Sequence, residues 1–299
     1  MEKRFSSLHT HTIFCDGRDD VETMCRAAYE KGLASIGFSS HAHVGKTGLK
    51  TTWHMKDEKL GEYINEVKAA RLRWEGKLVV YMGLEVDYIK GLRSAADKDI
   101  KDANLDYTIS SVHYIMPPQG EPFTIDGHLD ELENGILNGF GGDGESMLNA
   151  YLNNVLEMVT PGGFDIVGHL DLVRKNHGSR GSISFREKGG RWFEVENEAY
   201  MRKIEEIVRA ISCAGLVVEA NTGGINRGYV TDTYPSLAVL RLLNKYKVPV
   251  MISADAHNPN DLDGHYSEAR QILLDAGFKS HVLFEGRKNG KPIWSECPL

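Results

Sequence analysis

The chain has 299 residues, with 35 Lys+Arg against 42 Asp+Glu, a formal net charge of −7. At 41% hydrophobic and 26% charged it has the composition of a globular protein with a large core. The acidic balance argues against a nucleic-acid binder, no apolar run reaches the ~18–20 residues of a membrane span, and Met1–Phe14 lacks a signal-peptide apolar stretch. The four cysteines, Cys15, Cys25, Cys213 and Cys297, show no CxxC spacing, so a cytoplasmic, reduced protein is expected. Cys25 and Cys213 fall on apolar helical stripes and read as buried thiols.

Short β-prone runs alternate with amphipathic helical patterns along the chain. Phe5–Leu8 opens the series, and a helix follows Asp20, with Val21, Met24, Cys25 and Ala28 on one face and Gly32 at its end. Further strands are expected at Ser35–Ser39, Leu78–Leu84, Tyr107–Ser111, Phe164–Val167, Leu216–Glu219, Val250–Ser253 and Val282–Phe284. Ile204, Ile207, Val208 and Ile211 mark a helix that stops at Gly215. Ser236 caps another, and Gly277 closes one that starts near Asp261. Repeating β–α about seven times predicts an α/β fold, a distorted β/α barrel of about seven parallel strands in one domain over residues 1–299. Pro117–Gly144 and Gly178–Arg191 interrupt the alternation and read as active-site walls or lids.

The chain carries twelve histidines, and the informative ones fall just after expected strands. His9 and His11 follow the first, His41 and His43 the second, His113 the fourth and His169 the fifth. Glu85 ends the third, and Asp255 and His257 follow the seventh. Strand ends in a β/α barrel gather at one mouth, so these side chains would share a cavity. Imidazoles and carboxylates without a thiolate pair suit Zn, Mn or Fe. In His9-x-His11 and Asp255-x-His257 both side chains of an extended stretch project to one side and can grip one ion. Asp16 lies close enough to join them, and Cys15 beside it is either a ligand or packing. One ion takes three or four protein ligands, so this many donors imply more than one ion.

His-Thr-His at 9–11, Cys-Asp-Gly at 15–17, GFSSH at 37–41, GLEVDY at 83–88, SSVHY at 110–114, GHLDL at 168–172, EANTGG at 219–224 and SADAH at 253–257 form an ordered series. The series resembles the PHP (polymerase and histidinol phosphatase) family of metal-dependent phosphoesterases, over nearly the whole chain. Within it the chain is most similar to the stand-alone histidinol-phosphatases. That likeness rests on Asp16, Ser40–His43, Pro122, Phe123 and Asp126, and the run from Asn221 through Arg227 to Tyr234-Pro235-Ser236. Two features depart from the pattern: a long Gly178–Arg191 excursion, and Gly223 where a serine is common.

The resemblance implies three divalent ions (Zn, Mn and/or Fe). His9, His11, Glu85 and Asp255 would hold the first, Glu85, His113 and His169 the second, and Asp16, His41 and His257 the third. It also implies hydrolysis of a small phosphate monoester, L-histidinol phosphate, within histidine biosynthesis, by attack of a metal-bridging hydroxide on phosphorus. Arg174 and Arg227 would bind the phosphate, and His43 and Asp171 are alternative acids for the leaving alkoxide. Asp87, Asp126, Glu219 and Trp192 are candidates for the imidazole and ammonium of the substrate, with Trp53 and His54 at the rim. A broader phosphatase or nucleotide phosphoesterase is the alternative within the family. A non-catalytic metal-binding protein and an amidohydrolase are the rivals outside it, the first disfavoured by the complete donor set and the second by its lack of a carboxylated-Lys pattern.

Overall fold

The computed structural model describes residues 5–49, 51–177 and 192–299, so the expected lid at Gly178–Arg191 lies outside the described residues. Ten strands occur among these, in chain order: β1 (Ser35–Phe38), β2 (Val79–Asp87), β3 (Tyr107–Ser111), β4 (Tyr114–Ile115), β5 (Phe123–Thr124), β6 (Ile166–Val167), β7 (Val217–Asn221), β8 (Val250–Ser253), β9 (Ser280–Lys288) and β10 (Lys291–Pro298). The helices that alternate with them are α1 (Val21–Glu30), α2 (Leu60–Arg73), α3 (Lys98–Asp102), α4 (Leu129–Gly139), α5 (Gly144–Val159), α6 (Glu198–Ala214), α7 (Gly223–Asn226), α8 (Leu237–Lys245) and α9 (Tyr266–Asp275).

Strands β1-β2-β3-β6-β7-β8 pair in that order into one parallel sheet. Their residues are nearly all buried, as a sheet covered on both faces requires. The expected strand Phe5–Leu8 is present as single bridges and not as a regular strand. Ser7 pairs in parallel with Ile36 at one edge of the sheet, and Thr10 with Ala256 at the other. Residues 5–11 thereby link the two edges and supply the seventh stave, bending too much for a continuous ladder. Helices α1, α2, α5, α6, α8 and α9 bury their apolar stripes on the outside. The side chain of Asp20 caps α1 by accepting from the Thr23 amide. Cys25 is buried under α1, but Cys213 is exposed, because it lies beyond the Ile204–Ile211 stripe on α6.

Inside the sheet, at the end opposite the strand termini, Leu8, Tyr107, Ile109, Ile166, Val217 and Met251 pack into a plug. Tyr107 crosses β1 and β2 where both carry glycine: a Cβ on Gly37 would lie 2.5 Å from its hydroxyl, and one on Gly83 2.5 Å from its ring. Its hydroxyl donates to the Leu8 carbonyl, tying the irregular segment to the sheet. Val282 and Phe284 complete the plug from outside. The expected strand Val282–Phe284 is present within β9, which pairs antiparallel with β10 and stands apart from the parallel sheet. The cause is local, since Asn289 (φ +54°) and Gly290 (φ +76°) form a tight turn that folds the chain straight back. The Pro117–Gly144 excursion contains β5, which pairs back onto β4, and α4, and forms one wall of the site. No helix among the described residues is long and apolar enough to cross a membrane.

Candidate metal centre

Most of the chemistry-bearing side chains are placed by the ends of strands, and Asp16 by the loop before α1. Glu85 is the seventh residue of β2, and His41, just past β1, bridges to it in parallel register. His113 follows β3, His169 follows β6, and Asp255 and His257 follow β8. The backbone of His9 and His11 is stitched to Ala256 by two hydrogen bonds of 3.0 and 2.8 Å. Asp255 adopts φ +51°, a left-handed conformation that is uncommon for a residue other than glycine and tends to mark functional sites.

The resulting geometry is a continuous cluster. Glu85 Oε2 lies 3.1 Å from His9 Nε2, 3.5 Å from His11 Nε2 and 3.1 Å from His41 Nδ1. Asp255 Oδ1 lies 3.2 Å from His11 Nε2 and 3.6 Å from His9 Nε2. The other Glu85 oxygen faces His169 Nε2 at 2.9 Å and His113 Nε2 at 3.8 Å. Asp16 meets His257 at 3.2 Å, His11 at 3.6 Å and His41 at 3.9 Å. All nine expected ligands are therefore brought together.

The donor atoms also fit a cation. His9 Nε2, His11 Nε2, His41 Nδ1 and Glu85 Oε2 are buried and make no hydrogen bond, though they converge. Orphaned buried polar atoms are costly unless something binds them. Burial opposes ionisation of Glu85, yet the imidazoles of His9 and His41 hold its carboxyl well below the usual range. Burial likewise opposes ionisation of Asp255, and Arg227 with His9 overcomes it. Burial, reinforced by His257, lowers His11. Ionised carboxylates facing a neutral imidazole make a site for a divalent cation of the N/O-binding kind. Cys15 lies 3.4 Å from His11 Nδ1, but burial and Asp16 push its thiol up to about 11, so it stays protonated.

Above the cluster opens a cavity of about 530 Å³. Glu85, His41, His113, His169, Asp255 and His257 form its floor, and Arg227, Lys175, Asp126, Trp53 and Tyr234 are among its walls. Arg227 reaches Asp255 Oδ2 at 2.7 Å and the Asp255 carbonyl at 3.2 Å.

The sequence pattern of the PHP domain matches residues 7–223. The chain belongs to the PHP domain family. It is 27% identical over 281 residues to a Deinococcus radiodurans protein named "Probable histidinol-phosphatase", covering 94% of this chain and 96% of that one. It is 26% identical over 276 residues to the Bacillus subtilis protein named "Histidinol-phosphatase", covering 89% and 97%. A solved histidinol phosphate phosphatase of Lactococcus lactis, in complex with zinc, L-histidinol and phosphate, has the same fold. Its TM-score is 0.69 at 20% identity, over 96% of this chain and 100% of that one.

Within this PHP fold several expected site residues stand elsewhere. His43 does not face the cavity: its ring lies between Asp57 (3.2 Å) and Asp99 (3.0 Å). The paired stretch ends at His41, so the two-residue spacing no longer keeps both rings on one side. Asp171 is fully buried away from the cavity; its Oδ2 accepts from the Ser236 amide at 2.9 Å and pairs with Arg174 at 3.3 Å. Arg174 is held by Asp171, Asp232 and the Thr233 carbonyl, and packs behind Tyr234 without lining the cavity. Neither His43 nor Asp171 is placed to protonate a group bound there. Asp87 and Glu219 are buried partners of His113 and His9, and Trp192 points its Nε1 at Glu133. Asp126 and Trp53 do line the cavity. Sequence reasoning missed Lys175, which donates to the Asp126 carbonyl and lies over Tyr229. The only signal was its place beside Arg174.

Proposed function

We propose that the chain is a metal-dependent phosphate monoester hydrolase acting on L-histidinol phosphate, releasing L-histidinol and phosphate. The observation that carries this reading is the convergence of unpartnered, buried imidazole and carboxylate atoms beneath Arg227. In this reading His9, His11, Glu85 and Asp255 would hold one divalent ion, Glu85, His113 and His169 a second, and Asp16, His41 and His257 a third. Zn, Mn and Fe all suit the donor types. Bound there, the ions supply positive charge for the phosphoryl oxygens and acidify the attacking water.

The chain's own side chains do the rest. Arg227 presents a guanidinium at the rim, where it can take two phosphoryl oxygens, and Asp255 fixes its direction. Lys175 adds a second positive charge on the same wall. Asp126 supplies a carboxylate for a cationic amine, and Trp53 an aromatic face for an imidazole. The names of the Deinococcus and Bacillus relatives, and the L-histidinol and phosphate of the Lactococcus complex, support the choice of substrate.

The test is phosphate release from L-histidinol phosphate, sugar phosphates, AMP and p-nitrophenyl phosphate, with and without chelator. Chelator-sensitive release largely confined to L-histidinol phosphate is the expected result. Equal rates across the panel would overturn the substrate, and silence from metal-loaded protein would overturn the phosphatase.

A further inference from the structure

Two buried carboxylates stand behind the cluster and belong to no proposed ligand set. Glu219 binds the far nitrogen of His9, at 2.9 Å from Nδ1. Asp87 does the same for His113, at 2.7 Å from Nδ1, but its other oxygen is also engaged. Asp87 Oδ2 lies 2.5 Å from His54 Nε2, and His54 Nδ1 lies 2.9 Å from Thr51 Oγ1. A four-residue chain thus runs from the loop beyond β1 to His113. The ring of His54 lies against Trp53, centroids 3.7 Å apart, and Trp53 stands edge-on to His41 at 4.6 Å and His113 at 5.3 Å.

Distances distinguish this chain from a further ion site, although His41, His54 and Asp87 lie close enough together to suggest one. Two donors bound to one ion at ~2.1 Å each stand about 3 Å or more apart. His9 and Glu85, at 3.1 Å, meet that spacing. His54 and Asp87, at 2.5 Å, stand at the distance of a direct hydrogen bond instead. A neutral imidazole whose Nδ1–H donates a hydrogen bond to a carboxylate keeps its lone pair on Nε2, in a fixed direction.

We propose that His54 and Asp87 are positioning residues, a relay that fixes the ring of His113 toward Glu85 and couples it to Trp53 at the cavity rim. The proposal rests on the reading of His113 as a metal ligand. It separates two roles on one loop: Trp53 faces the cavity while its neighbour holds the metal side.

The experiment titrates chelator-stripped protein with Zn²⁺ against a chromophoric competitor and melts the stripped and zinc-loaded forms, for wild type, His54→Ala and His54→Gln. His54→Ala is expected to bind one zinc equivalent about 10–100-fold more weakly, with an unchanged Tm in the stripped form. His54→Gln, whose amide N–H can still reach Asp87, is expected to recover most of the affinity. Unchanged zinc affinity in His54→Ala, or an equal fall of Tm in both forms with affinity intact, overturns the relay. Where His54→Ala does not fold, the isosteric Asp87→Asn is expected to show the same zinc loss, and its absence overturns the proposal equally. Wild type that binds zinc but releases no phosphate would sink the phosphatase reading alone. Normal phosphate release with unaltered zinc affinity in the variants would sink the relay alone.

Discussion

Glu85 is the side chain on which the cluster turns. One of its oxygens accepts from Ser111 Oγ at 2.6 Å and faces His169, while the other faces His9, His11 and His41. Glu85→Gln keeps the shape and the Ser111 contact but removes the charge that several imidazoles share. It is expected to lower bound metal and to cut phosphate release by about 100-fold or more, read by metal analysis and steady-state rates on one preparation. Full activity at full metal content would show that the bridging charge is dispensable. Arg227 permits a sharper test, because its guanidinium has planar, paired donors that an ammonium lacks. Arg227→Lys is expected to lower kcat/KM by about 100-fold, or ~2.7 kcal/mol, with metal content unchanged. The convergence of His41, Glu85, His113, His169, Asp255 and His257 was legible because they lie at or just past strand ends, where the fold dictates direction. His43, Asp171 and Arg174 were not, because their directions depend on partners distant in sequence: Asp99 for His43, Ser236 for Asp171 and Asp232 for Arg174.

Among the elements, α1 shows how a helix beside the site is set by its first residue. Asp20 accepts from the Thr23 amide at 2.7 Å, and that hydrogen bond is the main reason its carboxyl lies below the ordinary value. Asp20→Ala is expected to cost about 1 kcal/mol in denaturant unfolding at neutral pH. Because the folded pKa is depressed, the ionised cap contributes fully above the unfolded value of ~4 and fades as pH falls through the folded one. The difference between variant and wild type should therefore narrow in acid; a constant gap would refute the ionic part of the cap. Most strands were readable as apolar runs between turn residues. Val282–Phe284 reads as a strand and is one, but its antiparallel partner escapes an apolar-run reading: Asn289-Gly290 is the hairpin signal, and β10 begins directly after it. Phe5–Leu8 could not be resolved from sequence, since whether a run forms a ladder or isolated bridges depends on the two edges it must span.

The whole molecule has two ends that answer to different forces. At one end the Tyr107 plug is held by packing, so Gly83→Ala, which forces a methyl into the ring, is expected to cost about 1–3 kcal/mol. That loss should be the same with or without metal. At the other end the sheet converges on buried carboxylates and imidazoles, several of whose facing atoms have no hydrogen-bond partner. Without a metal, Glu85 and Asp255 have only the imidazoles around them and the Arg227 guanidinium as partners, and the converging orphaned atoms stay unpaired. Ligand linkage gives the scale: a metal present at 100 times its Kd stabilises the fold by about 2.7 kcal/mol. Chelator is therefore expected to lower the Tm of wild type by several degrees, and added Zn²⁺ or Mn²⁺ to restore it, as followed by thermal denaturation. The same chelator should leave the spacing between wild type and Gly83→Ala intact, because the plug and the cluster share a sheet but no side-chain partner. A Tm indifferent to chelator, in protein shown to have lost its metal, would mean that the cluster is stable without an ion and that its orphaned atoms find partners among themselves.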